Sequence, residues 1–154
     1  MTSPHQDIVE LKAGDQAPPF KLSAFPEGEV SLADFQGSKN VILAFYPRDN
    51  TPGCTREMCS FSDSLERFTE RNTVVLGVSV DSLDKHEVFA SRHGLNLTLL
   101  SDSGGEIGRL YGAVRGDRII ADRVLFVIDR SGIIRHVHKG MPDLEEILEV
   151  VAAI

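Results

Sequence analysis

Three short apolar runs dominate the hydrophobic pattern of this chain: Val41–Tyr46, Thr73–Val80 and Leu97–Leu100. Runs of this length without strict alternation are typical of strands buried on both faces of a sheet. Between them, apolar residues recur every three or four positions, which predicts helices over Cys54–Arg71 and Ser82–Arg92. Strands that alternate with helices indicate an α/β domain with a partly parallel sheet.

Each predicted helix has an apolar side. The first has Met58, Phe61, Leu65 and Phe68 at helical spacing. In the second, Val88 and Phe89 are expected to face the core, and Gly94 is expected to end the helix. A third, short helix is predicted over Glu106–Tyr111.

Hairpin patterns occur near both ends of the chain. Toward the C-terminus, the strands Val124–Ile128 and Ile133–Val137 flank the turn residues 129–132. Asp143 and Glu146 then predict a capping box at the start of the last helix.

Toward the N-terminus, Phe20–Leu22 and Glu29–Leu32 alternate apolar and polar residues, which predicts a second hairpin. A loosely ordered arm is expected over residues 1–13, with a short strand at Ile8–Leu11. The order of all these elements predicts a central mixed β-sheet flanked by helices on both faces, in a single domain over residues 1–154.

Composition narrows the classes of function. The chain has 154 residues, a formal net charge of −7 and a sequence pI of about 5.2. A net acidic chain without a run of Lys and Arg argues against nucleic acid as a main partner. No apolar stretch is long enough to span a bilayer, so no membrane partner is expected. The N-terminal residues lack the basic and apolar regions of a secretory signal, so we expect a cytoplasmic location.

The candidate chemistry lies with the two cysteines of the chain, Cys54 and Cys59. Thr51 is a favourable N-cap residue and Pro52 suits the first helical position, so Cys54 falls in the first turn of the helix. The free N–H groups and partial positive charge there stabilise a thiolate, which makes Cys54 a candidate nucleophile. The alternative is a buried, inert thiol. It is an equally good interpretation for Cys59, whereas burial is less natural for Cys54.

The spacing of the cysteines predicts a conformational change. Five residues of intact helix separate the Cα atoms of Cys54 and Cys59 by a rise of roughly 7.5 Å. A disulfide requires a Cα separation below about 7 Å. An enzyme that uses both thiols must therefore unwind the start of this helix when it is oxidised.

A longer motif connects this stretch to a known family. Residues 47–54 read Pro-Arg-Asp-Asn-Thr-Pro-Gly-Cys and match P-x-x-x-T-x-x-C, the active-site pattern of the peroxiredoxins. Residues 45–59 resemble the peroxiredoxin Q branch of the AhpC/TSA superfamily, also called bacterioferritin comigratory protein. The similarity covers nearly the whole chain, including residues 123–129, which resemble the segment that carries the active-site arginine of the family.

The resemblance implies a thioredoxin-like fold and a thiol peroxidase that reduces hydrogen peroxide and organic hydroperoxides. Cys54 would be the peroxidatic residue, and Cys59 would resolve its sulfenic acid as an intramolecular disulfide. Thioredoxin or a similar dithiol would then reduce that disulfide. The family implies no cofactor or metal and includes both monomers and homodimers.

Four further site residues are implied by position in the motif or in the matched segments. The Thr51 hydroxyl would bind the thiolate and then the peroxide. Arg123 would hold its guanidinium beside the sulfur. Pro47 would pack over the site and limit water, and Glu57 would orient the arginine.

Three other functions fit parts of the pattern. A thioredoxin-like dithiol oxidoreductase would have two residues between its cysteines, whereas four intervene here. A metal-binding module could combine Cys54 and Cys59 with His136 and His138, although the cysteine spacing is not that of a tight zinc site. A peroxide sensor would form the same sulfenic acid, so it stays open.

Overall fold

The computed structural model describes residues 10–154. The arm predicted over residues 1–13 and the strand at Ile8–Leu11 therefore begin outside the described residues. Within them, Glu10 and Leu11 are not in a strand. The N–H of Gly14 donates to the carbonyl oxygen of Ile134 at 2.7 Å, and Gln16 forms an isolated antiparallel bridge with Ile133.

A single seven-stranded sheet forms the centre of the described region, in the order β2-β1-β5-β4-β3-β6-β7. Its strands are β1 Lys21–Phe25, β2 Glu29–Ser31, β3 Asn40–Phe45, β4 Thr73–Ser79, β5 Thr98–Ser101, β6 Val124–Ile128 and β7 Ile134–Lys139. Its helices are α1 Pro52–Asp63, α2 Leu65–Thr69, α3 Leu83–His93, α4 Glu106–Leu110 and α5 Leu144–Ala152.

The sheet is mixed, as predicted. The three strands read from apolar runs, β3, β4 and β5, are parallel and adjacent. Both predicted hairpins, β1–β2 and β6–β7, are present and antiparallel. All six residues of β3 are buried, which explains why the sequence of this strand does not alternate.

The two faces of the sheet have separate hydrophobic cores. Buried residues from α1, α2, α3 and α5 pack with one face. Helix α4 and the loop that follows it cover the other face, where Phe45, Tyr111 and Phe126 form an aromatic cluster. The prediction of helices on both faces is thus confirmed.

The helix predicted over Cys54–Arg71 is wrong as one element, because it breaks at Ser64. Ser64 leaves the helical region, with φ −104° and ψ 9°. Its N–H donates to the carbonyl oxygens of Ser60 and Phe61, at 3.1 and 3.2 Å, which closes α1 with a tightened last turn. Helix α2 then begins at Leu65.

Two smaller predictions are also wrong. Val88 is 51% exposed, because His86, Phe89 and Ala90 occupy the inward arc of α3. The capping box of the last helix does not form. The Asp143 carboxylate accepts a hydrogen bond from the N–H of Glu145 at 3.0 Å, and the side chain of Glu146 approaches β7 instead.

Within residues 10–154, no helix combines the length and the apolar character needed to cross a membrane.

Candidate active site

Cys54 occupies the third position of α1, at the carboxyl end of strand β3. Thr51 is the N-cap residue, with extended backbone, and Pro52 is the first helical residue. The first turn of α1 contains no acidic side chain. Because the N–H groups of the first turn have no intrahelical acceptor, the positive end of this helix is available to an anion at the sulfur of Cys54.

The side chain of Cys54 is buried, with 1% of its surface exposed. This contradicts the expectation that burial is less natural at this position. Cys54 is part of the core cluster that also contains Met58 and Leu125, and the guanidinium of Arg123 lies over its sulfur. A peroxide must therefore reach the sulfur through a narrow approach.

Arg123 contacts both Cys54 and Glu57. Its Nη2 lies 3.3 Å from Cys54 Sγ, and its Nη1 donates to Glu57 Oε1 at 2.6 Å. The sheet explains this placement, since β6 runs antiparallel to β3 with Val124 opposite Phe45. The residue before β6 is thereby brought beside the residues that follow β3, although 69 positions separate Arg123 from Cys54.

The Glu57–Arg123 pair controls the charge around the sulfur. Glu57 is 2% exposed, and burial raises its pKa to about 7 against the opposing effect of the Arg123 guanidinium. For Arg123, burial acts to lower the pKa, but hydrogen bonds to Glu57 and Cys54 outweigh it and the net shift is upward. The guanidinium thus stays charged, while Glu57 titrates near neutral pH.

Gly53 provides the room for the guanidinium. A Cβ atom at this position would lie 3.0 Å from Arg123 Nη2 and 3.9 Å from Met141 Cε. The first distance is tighter than an ordinary van der Waals contact. A side chain at position 53 would therefore require the guanidinium of Arg123 to shift from its place beside the sulfur by a few tenths of an ångström.

Thr51 and Pro47 lie in the loop between β3 and α1. The Thr51 hydroxyl makes no capping bond and donates instead to the carbonyl oxygen of Arg48 at 3.0 Å. This bond uses the hydroxyl proton and leaves the oxygen able to accept. Pro47 is half-buried and lies two residues after the end of β3.

Cys59 lies in the same unbroken helix as Cys54, and both are free thiols. It is half-buried, and burial followed by the charge of Asp63 raises its pKa. Cys59 is thus held as a protonated thiol in the folded helix. The geometry agrees with the spacing argument that a Cys54–Cys59 bond requires unwinding.

A buried polar network, which sequence reasoning missed, fixes the loop before Cys54. His86 Nδ1 lies 2.6 Å from Asp49 Oδ2, and Tyr46 Oη donates to Asp49 Oδ1 at 2.6 Å. The side chains of His86 and Asp49 are 0% and 2% exposed. Burial and then the charge of Asp49 raise the pKa of Tyr46, which keeps its hydroxyl a donor.

The backbone and the neighbouring strands complete this network. The N–H of Asp49 donates to Asp81 Oδ2 at 2.7 Å, and His86 Nε2 bonds the carbonyl oxygen of Leu100 at 2.9 Å. The one sequence signal for His86 is its position three and four residues before Phe89 and Ala90 on the inward side of α3.

The structure does not bring the two cysteines and the two histidines together as a metal site. Cys54 and Cys59 do not join His136 and His138 in a cluster of converging donors within the described part of the chain. The two histidines converge instead with Glu146.

Comparison with known proteins gives consistent matches. A family model described as "AhpC/TSA family" matches residues 13–137. The chain is 39% identical over 135 residues to "Peroxiredoxin Q, chloroplastic" of Sedum lineare, covering 86% of this chain and 72% of that protein. It is 37% identical over 153 residues to "Putative peroxiredoxin bcp" of Coxiella burnetii, covering 95% of this chain and 100% of that protein. The chain spans 60 to 62% of the length of several other chloroplastic relatives.

Solved structures agree with the sequence matches. The crystal structure of "Peroxidoxin BcpB" from Mycobacterium tuberculosis superposes with a TM-score of 0.86 at 30% identity, covering 94% of this chain and 99% of that one. Peroxiredoxin structures have the thioredoxin-like fold, so the predicted fold is confirmed.

Proposed function

Since the chain belongs to the AhpC/TSA family and is a peroxiredoxin, a thiol peroxidase that acts on hydroperoxides, we propose that Cys54 is the residue that attacks the peroxide. The observation that carries this assignment is the contact between Arg123 Nη2 and Cys54 Sγ at 3.3 Å. A fixed cation beside a thiol at a helix N-terminus favours the thiolate, the reactive form.

In the proposed first step, the Cys54 thiolate attacks one oxygen of the hydroperoxide and an S–O bond forms. The O–O bond breaks, and the second oxygen leaves as water or an alcohol after it takes up a proton. Cys54 is thereby oxidised to a sulfenic acid, and the peroxide is reduced. Negative charge moves from sulfur to the departing oxygen, so donors fixed around both atoms stabilise the transition state.

The surrounding residues supply those donors. Arg123 donates from Nη2 toward the reacting atoms while Glu57 holds its Nη1 at 2.6 Å, which makes Glu57 a positioning residue. The oxygen of Thr51 can accept from the peroxide O–H, because its own proton is donated to the carbonyl oxygen of Arg48. Pro47 closes the loop side of the site and limits the entry of water.

We assign Cys59 as the resolving residue. Its thiol attacks the sulfur of the Cys54 sulfenic acid, which forms the disulfide and releases water. Unwinding of α1 has two effects on this step. It brings the sulfurs together, and it removes the burial and the proximity to Asp63 that keep the pKa of Cys59 high.

The reductant we propose is thioredoxin or a similar dithiol, which would return both cysteines to thiols by exchange. Unwinding of α1 would expose the disulfide to that partner. We also propose that the protein is a monomer or a weak homodimer and that it is located in the cytoplasm. Gel filtration and cell fractionation address these last two points directly.

Steady-state peroxide consumption with a thioredoxin system tests the assignment. Cys54→Ser should abolish turnover. Cys59→Ser should still consume about one equivalent of peroxide per chain and form a sulfenic acid at Cys54 that a dimedone probe labels, but turnover with thioredoxin should fail. Turnover of Cys54→Ser at the wild-type rate would refute the role of Cys54. A dithiol oxidoreductase without peroxidase activity would reduce disulfide substrates and leave peroxide unchanged.

A further inference from the structure

We propose that His136, His138 and Glu146 form a binding site for one divalent cation of the Zn²⁺ type between β7 and α5. The two histidines are two residues apart on β7, so their side chains lie on the same face of the sheet. They pair with Val127 and Leu125, which belong to the core that α5 also covers. Glu146 comes from the first turn of α5.

The donor atoms converge at the spacing that a cation requires. Glu146 Oε1 lies 3.8 Å from His136 Nε2 and 3.7 Å from His138 Nδ1, and all three ligand atoms lie within 4.8 Å of one another. These distances are too long for hydrogen bonds. Zinc with bonds of about 2.0–2.2 Å in tetrahedral geometry places its ligands roughly 3.4 Å apart, so a small contraction would complete the site.

The nitrogen of His136 that faces Glu146 is evidence for a bound ligand. Its Nε2 atom is buried and has no hydrogen-bond partner within residues 10–154. A buried nitrogen without a partner is unfavourable, and a bound cation would satisfy it.

The second histidine has its other ring nitrogen held by the backbone, as ligating histidines commonly do. His138 Nε2 lies 3.0 Å from the carbonyl oxygen of Met141, which can only accept, so Nε2 carries the proton. In the neutral imidazole with its proton on Nε2, the lone pair of Nδ1 is directed toward Glu146. Ligating histidines commonly use their other nitrogen in this way, to fix the tautomer and the ring.

The donor set identifies the class of cation. Two imidazoles and one carboxylate suit Zn²⁺ and disfavour Mg²⁺ and Ca²⁺, which prefer oxygen. Glu146 is 52% exposed, so a fourth position is open to water on the solvent side. Met141, which holds His138, also lies beside Gly53, so the cation would sit next to the active site without using either cysteine.

Calorimetric titration of the full chain with ZnCl₂ tests the site. Cys54→Ser/Cys59→Ser is the background, since it removes both thiols as competing ligands. The expected result is one saturable Zn²⁺ per chain, with no comparable binding of Mg²⁺. Long-range proton–nitrogen spectra of the imidazoles should show shifts at His136 and His138. Absence of saturable binding, or Mg²⁺ binding of equal strength, overturns the proposal.

Matched variants in that background locate the cation. His136→Gln and His138→Gln should each weaken Zn²⁺ binding by roughly tenfold or more, and Glu146→Gln should weaken it as well. His93→Gln and the exposed Glu149→Gln should bind as the background does. Circular dichroism without metal confirms that each variant is folded. If a histidine variant does not fold, Glu146→Gln still tests the site, because position 146 is exposed. Equal losses in His93→Gln and His138→Gln would refute the site.

Discussion

His86 Nδ1 lies 2.6 Å from Asp49 Oδ2, which fastens helix α3 to the loop that precedes Cys54. Both side chains are almost fully buried. Removal of one partner from such a pair leaves an unsatisfied polar group and typically destabilises a protein by about 3–5 kcal/mol. We therefore expect His86→Ala to lower the free energy of unfolding by several kcal/mol and to slow the reaction of Cys54 with peroxide.

Urea unfolding and rapid-mixing kinetics measure the two effects. Asp49→Asn retains a hydrogen-bonding side chain and should be affected less than His86→Ala. Glu87→Ala, at an exposed position on the same helix, serves as the control and should resemble the wild type. A His86→Ala variant with unchanged stability would mean that the loop is held by other contacts.

Gly53→Ala should lower the peroxidase activity and leave the free energy of unfolding almost unchanged. The new methyl group would require the Arg123 guanidinium, which lies 3.0 Å from the Cβ position, to shift by a few tenths of an ångström, and this shift should reduce the rate of peroxide reduction by up to about tenfold. Stability should change by less than about 1 kcal/mol, because alanine favours the helix and Arg123 can move. Ser60→Ala, in the same helix, is the control. Full activity of Gly53→Ala would argue against a role for the observed arginine position.

The pKa of Glu57 predicts a pH dependence of stability. In the unfolded chain Glu57 loses its proton near its ordinary pKa of 4.5, whereas in the fold it keeps the proton up to about 7. Between these values the folded state binds more protons, so the contribution of Glu57 to the free energy of unfolding decreases as pH rises. The slope is at most about 1.4 kcal/mol per pH unit.

Glu57→Gln should remove this contribution. Unfolding curves at about pH 5 and about pH 7 should differ less for Glu57→Gln than for the wild type. Glu149→Gln, which is exposed on α5, should retain the wild-type difference. If the wild type and Glu57→Gln show the same dependence, Glu57 is ionised in the fold throughout this range.

Oxidation should unwind α1. Treatment with peroxide should give a Cys54–Cys59 disulfide within one chain, accompanied by faster amide exchange across residues 52–63. Cys59→Ser, treated in the same way, should keep its protection because no disulfide forms. Peptide mass mapping identifies the bond, and hydrogen exchange measures the unwinding. A disulfide with unchanged protection would contradict the requirement for unwinding.

The sequence predicted the strands and the helix start that carry the site better than the side-chain contacts within it. Strands β3 and β4 follow from apolar runs, and the position of Cys54 at a helix start follows from Thr51 and Pro52. These signals are local, so they can be read without knowledge of the tertiary structure.

The rest of the site depends on contacts between distant segments. Arg123 could be chosen only through the family resemblance, since its place beside Cys54 arises from the pairing of β6 with β3. The burial of Cys54 and the bond between His86 and Asp49 likewise depend on how α1 and α3 pack. No periodicity in the sequence encodes such contacts.

The break at Ser64 marks where the unwinding of α1 during the redox cycle can stop. Beyond it, Phe68 is fully buried, and Arg67 binds both carboxylate oxygens of Glu145 on α5, at 2.7 and 3.0 Å. Unwinding that begins at the start of α1 therefore need not spread past Ser64 into α2. When the disulfide is reduced to two thiols, α1 can re-form next to Ser64 and the folded helix α2. Each turnover then needs only a local order–disorder transition rather than refolding of the domain.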